Sequence, residues 1–307
     1  MAKKWTEKDI PDLNGKVIII TGANNGLGFE NTLQFARKKA TVIMACRHIE
    51  KGQKAFERVK KKIPNAKIEL IKLDLASLDS VRHFCKEFKE KYSTLDVLLN
   101  NAGIMMVPYR KTVDGFESQI GTNHLGHFAL TAHLFELLRT TPGSRIVNVS
   151  SSLHESGEMY WDDFLFEKKY NRTEAYARSK LANLLFTYEL DRRLKAKGIN
   201  VLAVASHPGF ANTGLANHLF GPAKYILKPV VFRIVAQSAR KGALPSTRAA
   251  VDPSVQGGEY FGPKGIFGNE SRGFPKIVQS NEKSHNLEDA KKLWEVSEEL
   301  TGIKFEI

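Results

Sequence analysis

The stretch that most constrains this chain runs from Lys16 to Gly28. Lys16-Val-Ile-Ile-Ile20 is a β-branched run of strand length, and it passes directly into Thr21-Gly22-Ala23-Asn24-Asn25-Gly26-Leu27-Gly28. The pattern after it predicts a helix with Leu27, Leu33, Phe35 and Ala36 as buried positions. Strand, glycine-rich turn and helix in this order form the setting that a dinucleotide fingerprint needs. Glycines let the backbone turn tightly and approach a pyrophosphate. The helix start then offers free N–H groups and a positive dipole end to the phosphates. A glycine motif alone is often only a loop; in this setting it points to nucleotide binding through Gly22, Asn24, Asn25, Gly26, Leu27 and Gly28.

The alternation continues along the chain. Thr41 to Ala45 is a second strand, ending at Cys46-Arg47, about twenty residues past the glycines. An acidic residue at that point would hold the ribose 2′-hydroxyl of NAD, and none stands there. An arginine can instead hold a 2′-phosphate through two charge-assisted hydrogen bonds, so Arg47 favours NADP(H) over NAD(H). The plain alternative is a surface charge opening the helix from Lys51 to Lys62. Further strands are expected at Ile68–Leu73, running into Asp74-Leu75, and at Leu95–Leu99, running into Asn100-Asn101-Ala102-Gly103. Ser77 is placed to cap a helix through Val81, Phe84, Cys85 and Phe88. Asp114 to Arg139 reads as one long helix containing Asn123. Arg145–Val149 leads into three serines, and Val201–Ser206 into His207-Pro208-Gly209. A last strand at Gly257–Phe261 and a last helix at Leu287–Leu300 complete the pattern. It predicts an α/β chain of Rossmann type, doubly wound, with a mostly parallel seven-stranded sheet covered by helices on both faces. Residues 1–14 read as a polar leader and 15–307 as one domain.

Tyr176-Ala-Arg-Ser-Lys180 stands on a segment where Leu181, Leu184, Leu185 and Tyr188 recur at the spacing of an amphipathic helix. Residues four apart share one face, one turn from each other. An ammonium about 4 Å from a phenol favours the phenolate by roughly 4 kcal/mol at an effective dielectric near 20, and one pKa unit is about 1.4 kcal/mol. Such a pair brings a tyrosine toward working pH, as general acid–base catalysis requires. By itself the pairing is more often packing beside a solvated charge.

Composition excludes several classes. The chain is 42% hydrophobic, enough for a sizeable core, yet no window approaches eighteen uninterrupted apolar residues. Its start has lysines but no apolar stretch of the secretory kind. Cys46 and Cys85 are far apart and lack metal-like spacing, as expected of free thiols in a reducing, cytoplasmic setting. The net charge of +13 comes from basic residues spread beside acidic ones, without aromatic interleaving. Solvated basic helix faces, with attraction for a polyanionic small molecule, explain it more simply than nucleic-acid binding. His124, His127 and His133 have no carboxylate placed to complete a metal site, so no metal is expected.

Taken together, TGANNGLG at Thr21–Gly28, Asp74-Leu75, NNAG at Asn100–Gly103, the serines with YARSK, and Pro208-Gly209 resemble the classical short-chain dehydrogenase/reductase family. The resemblance covers about Gly15 to Phe261, and the motifs keep the family's order. MACR, SKLANLLFTYEL and KKLWEVSEELTG are most similar to its retinol-dehydrogenase-like subgroup, with protochlorophyllide reductases as more distant relatives. The resemblance implies hydride transfer between NADP(H) and a carbonyl or alcohol substrate, lipophilic in kind. It makes Tyr176 the general acid/base, Ser151 its partner on the substrate oxygen, Lys180 the residue that lowers the phenol's pKa and holds the nicotinamide ribose, and Asn123 the fourth member, acting through a helix irregularity. Asp74 and Leu75 would border the adenine, Asn101, Ala102 and Gly103 the adenosine ribose, and Pro208, Gly209 and Thr213 the nicotinamide amide. Ser150 and Ser152 are left to strand-end hydrogen bonding. A homodimer or homotetramer is the implied assembly.

Several features depart from that pattern or extend it. Between Ser151 and Tyr176 lies an extra stretch with Met159, Tyr160, Trp161, Phe164 and Phe166, aromatic enough to pack as its own loop or line a pocket. Lys39 stands where the subgroup has a glycine. The hydrophobic N-terminal anchor of the membrane retinol enzymes is not seen, which weakens a retinoid reading more than the chemistry. Residues 214–241 would form a substrate lid. Its apolar cluster, Tyr225 to Val235 with Lys224, Lys228 and Arg233, either covers the cleft or rests peripherally on an anionic membrane. The rival to an enzyme is a catalytically idle NADPH-binding sensor or scaffold, against which the intact Ser–Tyr–Lys–Asn set argues.

Overall fold

The computed structural model describes residues 4–209, 237–265 and 271–307. Eight strands form one sheet: β1 (Val17–Thr21), β2 (Thr41–Cys46), β3 (Lys67–Lys72), β4 (Val97–Asn100), β5 (Arg145–Val149), β6 (Leu202–Ser206), β7 (Tyr260–Lys264) and β8 (Phe274–Val278). Their order is β3-β2-β1-β4-β5-β6-β7-β8, so the chain winds outward in both directions from β1 and β4. The first seven are parallel and β8 is antiparallel to β7. The helices are α1 (Gly26–Arg37), α2 (Ile49–Lys62), α3 (Leu78–Lys91), α4 (Ser118–Ile120), α5 (Gly126–Thr140), α6 (Arg172–Ala196), α7 (Ala239–Gly242), α8 (Leu244–Val251) and α9 (Leu287–Thr301).

The continuous apolar runs follow from burial on both sheet faces. Ile18 and Ile20 join Val42, Met44, Phe29, Leu33 and Val59 in the layer under α1, α2 and α8. Ile19 joins Ile43, Leu98, Phe84, Phe128, Leu181 and Trp294 in the layer under α3, α5, α6 and α9. Successive residues of the β1 isoleucine run therefore feed opposite cores.

The eighth strand was not foreseen because Phe274-Pro-Lys-Ile-Val carries a proline, tolerated here at the sheet edge. The strand expected at Gly257–Phe261 starts three residues later, at Tyr260. Gly257 lies so close to α6 that a Cβ on it would sit 2.0 Å from Asp191 Oδ1, which fixes this stretch as a turn. The long helix expected from Asp114 begins instead at Ser118, where the buried Glu117 carboxylate accepts the N–H groups of Gln119 (2.9 Å) and Ile120 (2.9 Å). A π turn, Gly121–Leu125, separates α4 from α5. Nor is α6 amphipathic around the motif: every residue from Ala175 to Thr187 is buried. The polar leader is anchored, with Trp5, Ile10 and Leu13 in the core and Glu7 paired to Arg240 at 2.6 Å.

Lys39 has φ 68°, a left-handed conformation that favours glycine. Its ion pair with Asp12 (3.2 Å) is solvent-exposed on both sides and worth little. Lys39→Gly is therefore expected to raise stability by up to about 1 kcal/mol, read from the denaturant midpoint at unchanged m-value. An unchanged or lower midpoint contradicts it.

Candidate active site

The carboxyl ends of β1 and β4 lie side by side, with Ile20 opposite Leu99. Here the chain turns with Gly22 at φ 68° and Gly26 at φ 54°. Gly28 is packed so that a Cβ would lie 2.5 Å from the Gly22 carbonyl oxygen and 2.7 Å from Asn101 Nδ2. Asn25 precedes α1 without a side-chain cap, so the helix start keeps its N–H groups available to an anion. Asn24, Asn25, Gly26 and Leu27 reach the surface around it. Asn101 donates from Nδ2 to the Thr21 carbonyl (2.8 Å), which holds the loop after β4 against this turn. Ala102 and Gly103 continue along the same edge.

Arg47 is exposed at the end of β2, with Nε directed at His48 Nε2 (3.2 Å). Among the described residues nothing pairs its charge with a carboxylate. Asp74 is half-buried and spends one oxygen on the Ala76 N–H (3.0 Å). Leu75 points into the core, and its carbonyl backs Gly126, where a Cβ would meet it at 2.3 Å. These residues form the rim of a cradle that suits a dinucleotide: a tight turn, free N–H groups and one free cation beyond.

Across the cradle stand the ends of β5 and the middle of α6. Ser150 donates to the Lys180 carbonyl (2.8 Å), and Lys180 Nζ donates back to the Val149 carbonyl (2.9 Å). Burial pushes the Lys180 amine down to about 8. Tyr176 is 5% exposed, and the neighbouring Ser151 hydroxyl acts to lower the pKa of its phenol. Burial nonetheless drives that phenol up to about 12. Lys180 does not contribute to lowering it here, because the amine is 5.7 Å from the ring centroid and held by a strand carbonyl. Asn123 lies on the π turn. Its Oδ1 accepts from Ile104 N–H (2.8 Å), and its Nδ2 donates to the Ile104 carbonyl (2.9 Å) and to Ser179 Oγ (2.9 Å). It thus ties the loop after Gly103 to α6, beside Lys180. Asn123, Ser151, Tyr176 and Lys180 are brought to one wall.

Pro208 and Gly209 follow β6 on the same side; Gln237 Nε2 donates to the Pro208 carbonyl (2.8 Å). Residues 210–236, which include Thr213 and residues 214–236 of the lid segment, lie outside the described residues. Among the described residues no cluster of His, Cys, Asp or Glu can hold a metal ion. No helix among them is long and apolar enough to cross a membrane.

The model of the family described as short chain dehydrogenase matches residues 16–222. Human retinol dehydrogenase 14 is 42% identical over 310 residues, covering 95% of this chain and 88% of that protein. Human retinol dehydrogenase 12 is 39% identical over 296 residues, covering 96% and 89%. The chain belongs to the short-chain dehydrogenase family. It is accordingly an oxidoreductase of the hydride-transferring, nicotinamide-dinucleotide-binding kind, of the retinol-dehydrogenase-like subgroup. Among solved structures, a protein from Mycobacterium paratuberculosis superposes with a TM-score of 0.82 at 40% identity, covering 99% of this chain and all of that one. A short chain dehydrogenase from Shigella flexneri complexed with NADP shares the fold at a TM-score of 0.64 and 22% identity, covering 81% and 97%.

In this dehydrogenase the stretch between Ser151 and Tyr176 packs as its own loop, organised by a residue the sequence did not single out. Arg178 is 3% exposed and lies with its guanidinium 3.8 Å from the Phe166 ring centroid. It donates to the carbonyls of Glu158 (2.8 Å), Asp163 (2.6 Å) and Phe164 (3.0 Å). A fork of fixed donors over an aromatic face suits arginine and not lysine. His154 Nδ1 donates to the Ser151 carbonyl (2.7 Å), and Trp161 Nε1 to Asp289 on α9 (2.8 Å). The only signal for Arg178 was its place inside YARSK.

Arg178→Met leaves these carbonyls without a donor. It should cost at least about 2 kcal/mol, since each buried unsatisfied group costs about 1–3. Arg178→Lys should recover less than half. Denaturation midpoints for the three proteins check this, and a Met variant as stable as wild type refutes the role.

Proposed function

We propose that the chain is an NADP(H)-dependent carbonyl reductase or alcohol dehydrogenase acting on a lipophilic aldehyde, ketone or retinoid-like alcohol. The observation that carries the reading is the single wall that sets Ser151 beside the buried Tyr176 phenol, with Lys180 one helical turn away and the glycine turn opposite. The relatives named as retinol dehydrogenases support a lipophilic substrate.

When bound, the reduced nicotinamide supplies the hydride. The protein's own part is to hold the substrate oxygen and move a proton. Ser151 Oγ donates a hydrogen bond to the carbonyl oxygen, and Tyr176 Oη passes its proton to that oxygen as negative charge develops on it. A phenol near 12 is a reluctant donor in the free protein, so the Lys180 ammonium must act from nearby. Lys180 Nζ can exchange the Val149 carbonyl for ribose hydroxyls while staying below the phenol. Asn123 keeps the loop after Gly103 and α6 at fixed separation during this step. Arg47 would grip the 2′-phosphate. Assembly as a homodimer or homotetramer would use surfaces other than the parts of α5 and α6 that α9 and Phe305 cover. There α9 and Phe305 already pack on Phe128, Phe135 and Phe186.

Tyr176→Phe should abolish nearly all turnover on a panel of aldehydes and ketones while NADPH affinity stays near wild type; a variant keeping most of its kcat removes the central assignment. The pH dependence carries a sign. Lys180 is protonated below about 8 and neutral above it. So kcat/KM for NADPH, which reports the free enzyme, should decline as pH rises through that region. A profile flat to pH 10 argues against the lysine's role.

NADPH should exceed NADH in kcat/KM by at least about tenfold, equivalent to about 1.4 kcal/mol. Arg47→Asp should reverse the order, because the new carboxylate repels a phosphate and accepts from a ribose hydroxyl. Equal use of both nucleotides by the wild type defeats the preference.

A further inference from the structure

Thr21 ends β1 fully buried, and its hydroxyl accepts two backbone N–H groups, from Asn101 (2.9 Å) and Ala102 (2.8 Å). Those bonds set the loop after β4 against the glycine turn. A hydroxyl that accepts twice has one proton left to place. His127 Nε2 stands 2.9 Å away, and the Leu99 carbonyl only at 3.5 Å. The other end of the imidazole is fixed as well, since Nδ1 lies 3.0 Å from the Asn123 carbonyl. A carbonyl can only accept, so Nδ1 carries the hydrogen and Nε2 is the bare acceptor. The Thr21 proton therefore goes to His127. The ring is 2% exposed, and burial, with a smaller contribution from the Lys180 charge, pushes its pKa down to about 4, so it stays neutral at working pH.

We propose that His127 is a positioning residue that holds the nucleotide-binding turn and the Asn123 turn in one frame through a single neutral tautomer, Nδ1–H. It touches neither substrate nor the reacting atoms; it acts through Thr21 on one side and Asn123 on the other. The inference rests on the glycine turn being the NADP(H) site. Metal ligation is excluded for this nitrogen because a hydroxyl proton occupies its lone pair. Without the ring, Thr21 must turn its proton toward the distant Leu99 carbonyl, and the Asn123 carbonyl loses a donor.

The test is a double-mutant cycle read by NADPH dissociation constants from protein fluorescence, below the melting temperature of every variant. Thr21→Val and His127→Phe should each weaken NADPH about tenfold. The double variant should be no more than about threefold worse than either, because both remove one chain of bonds. Thr21→Ser, which keeps the hydroxyl, should recover most of what Thr21→Val loses. A cycle in which the two losses multiply to about a hundredfold overturns the proposal. Long-range ¹⁵N–¹H spectra of wild-type protein need no variant and should show a neutral His127 with its hydrogen on Nδ1 down to pH 5. A hydrogen on Nε2, or a protonated ring at pH 6, overturns it equally. Should the wild type bind no NADPH, the functional reading fails, and the tautomer still decides the bridge.

Discussion

A primary amine buried at the end of a sheet governs this structure. Lys180 is 3% exposed, and desolvation of its charged form is expensive unless hydrogen bonds replace water. The Val149 carbonyl supplies one bond, and Asn183 donates to that same oxygen at 3.1 Å. Ser150 closes the ring of contacts by donating to the Lys180 carbonyl. These bonds lock the middle of α6 to the end of β5. Because α6 is locked there, Tyr176 falls one turn back on the same face, and Ser151, the next residue after Ser150, meets its hydroxyl. The structure thus holds an amine near 8 and a phenol near 12, both displaced by burial.

The fold was legible because burial on two faces leaves a plain signature in a strand. Ile18, Ile19 and Ile20 can all be apolar only if helices cover both sides, and the helical segments between such runs provide the cover. The site was legible for a similar reason. A tight turn against Asn101 admits only glycine at position 28, and residues four apart on a helix must share a face. Such constraints act over a few residues, so they survive in the local sequence.

What escaped the sequence depends on partners far along the chain. Arg178 looks like a solvated charge until the loop over it is in place. His127 looks like any core histidine until Thr21, 106 residues earlier, is 2.9 Å away. The helix start at Ser118 is set by a buried carboxylate, Glu117, in a stretch where a helical period continues on both sides. The amphipathic reading of α6 failed because a third layer, the loop and α9, covers the face expected to meet water. Lys39 shows the reverse case: a single departure from glycine was visible in the sequence, and its left-handed φ accounts for the consequence.

The last quarter of the chain, irregular to the eye in sequence, bears directly on the serine. Asn281 N–H donates to His154 Nε2 (3.3 Å), its Nδ2 to the Glu155 carbonyl (3.3 Å), and Lys283 pairs with Glu158. Asp289 on α9 holds Trp161. His154 in turn bonds the Ser151 carbonyl, so the segment after β8 reaches the serine through one ring and two loops. None of these surface bonds is strong alone, and the exposed Lys283 pair contributes little. Their effect comes from closing a cycle between chain segments more than a hundred residues apart. Loosening the β8–α9 region would free the 152–170 loop before it disturbed the sheet, and Ser151 would lose its alignment with Tyr176 while the nucleotide cradle persisted. The Ser151–Tyr176 wall and the glycine turn therefore rest on different parts of the chain: the first on its C-terminal stitching, the second on the β1–β4 turn.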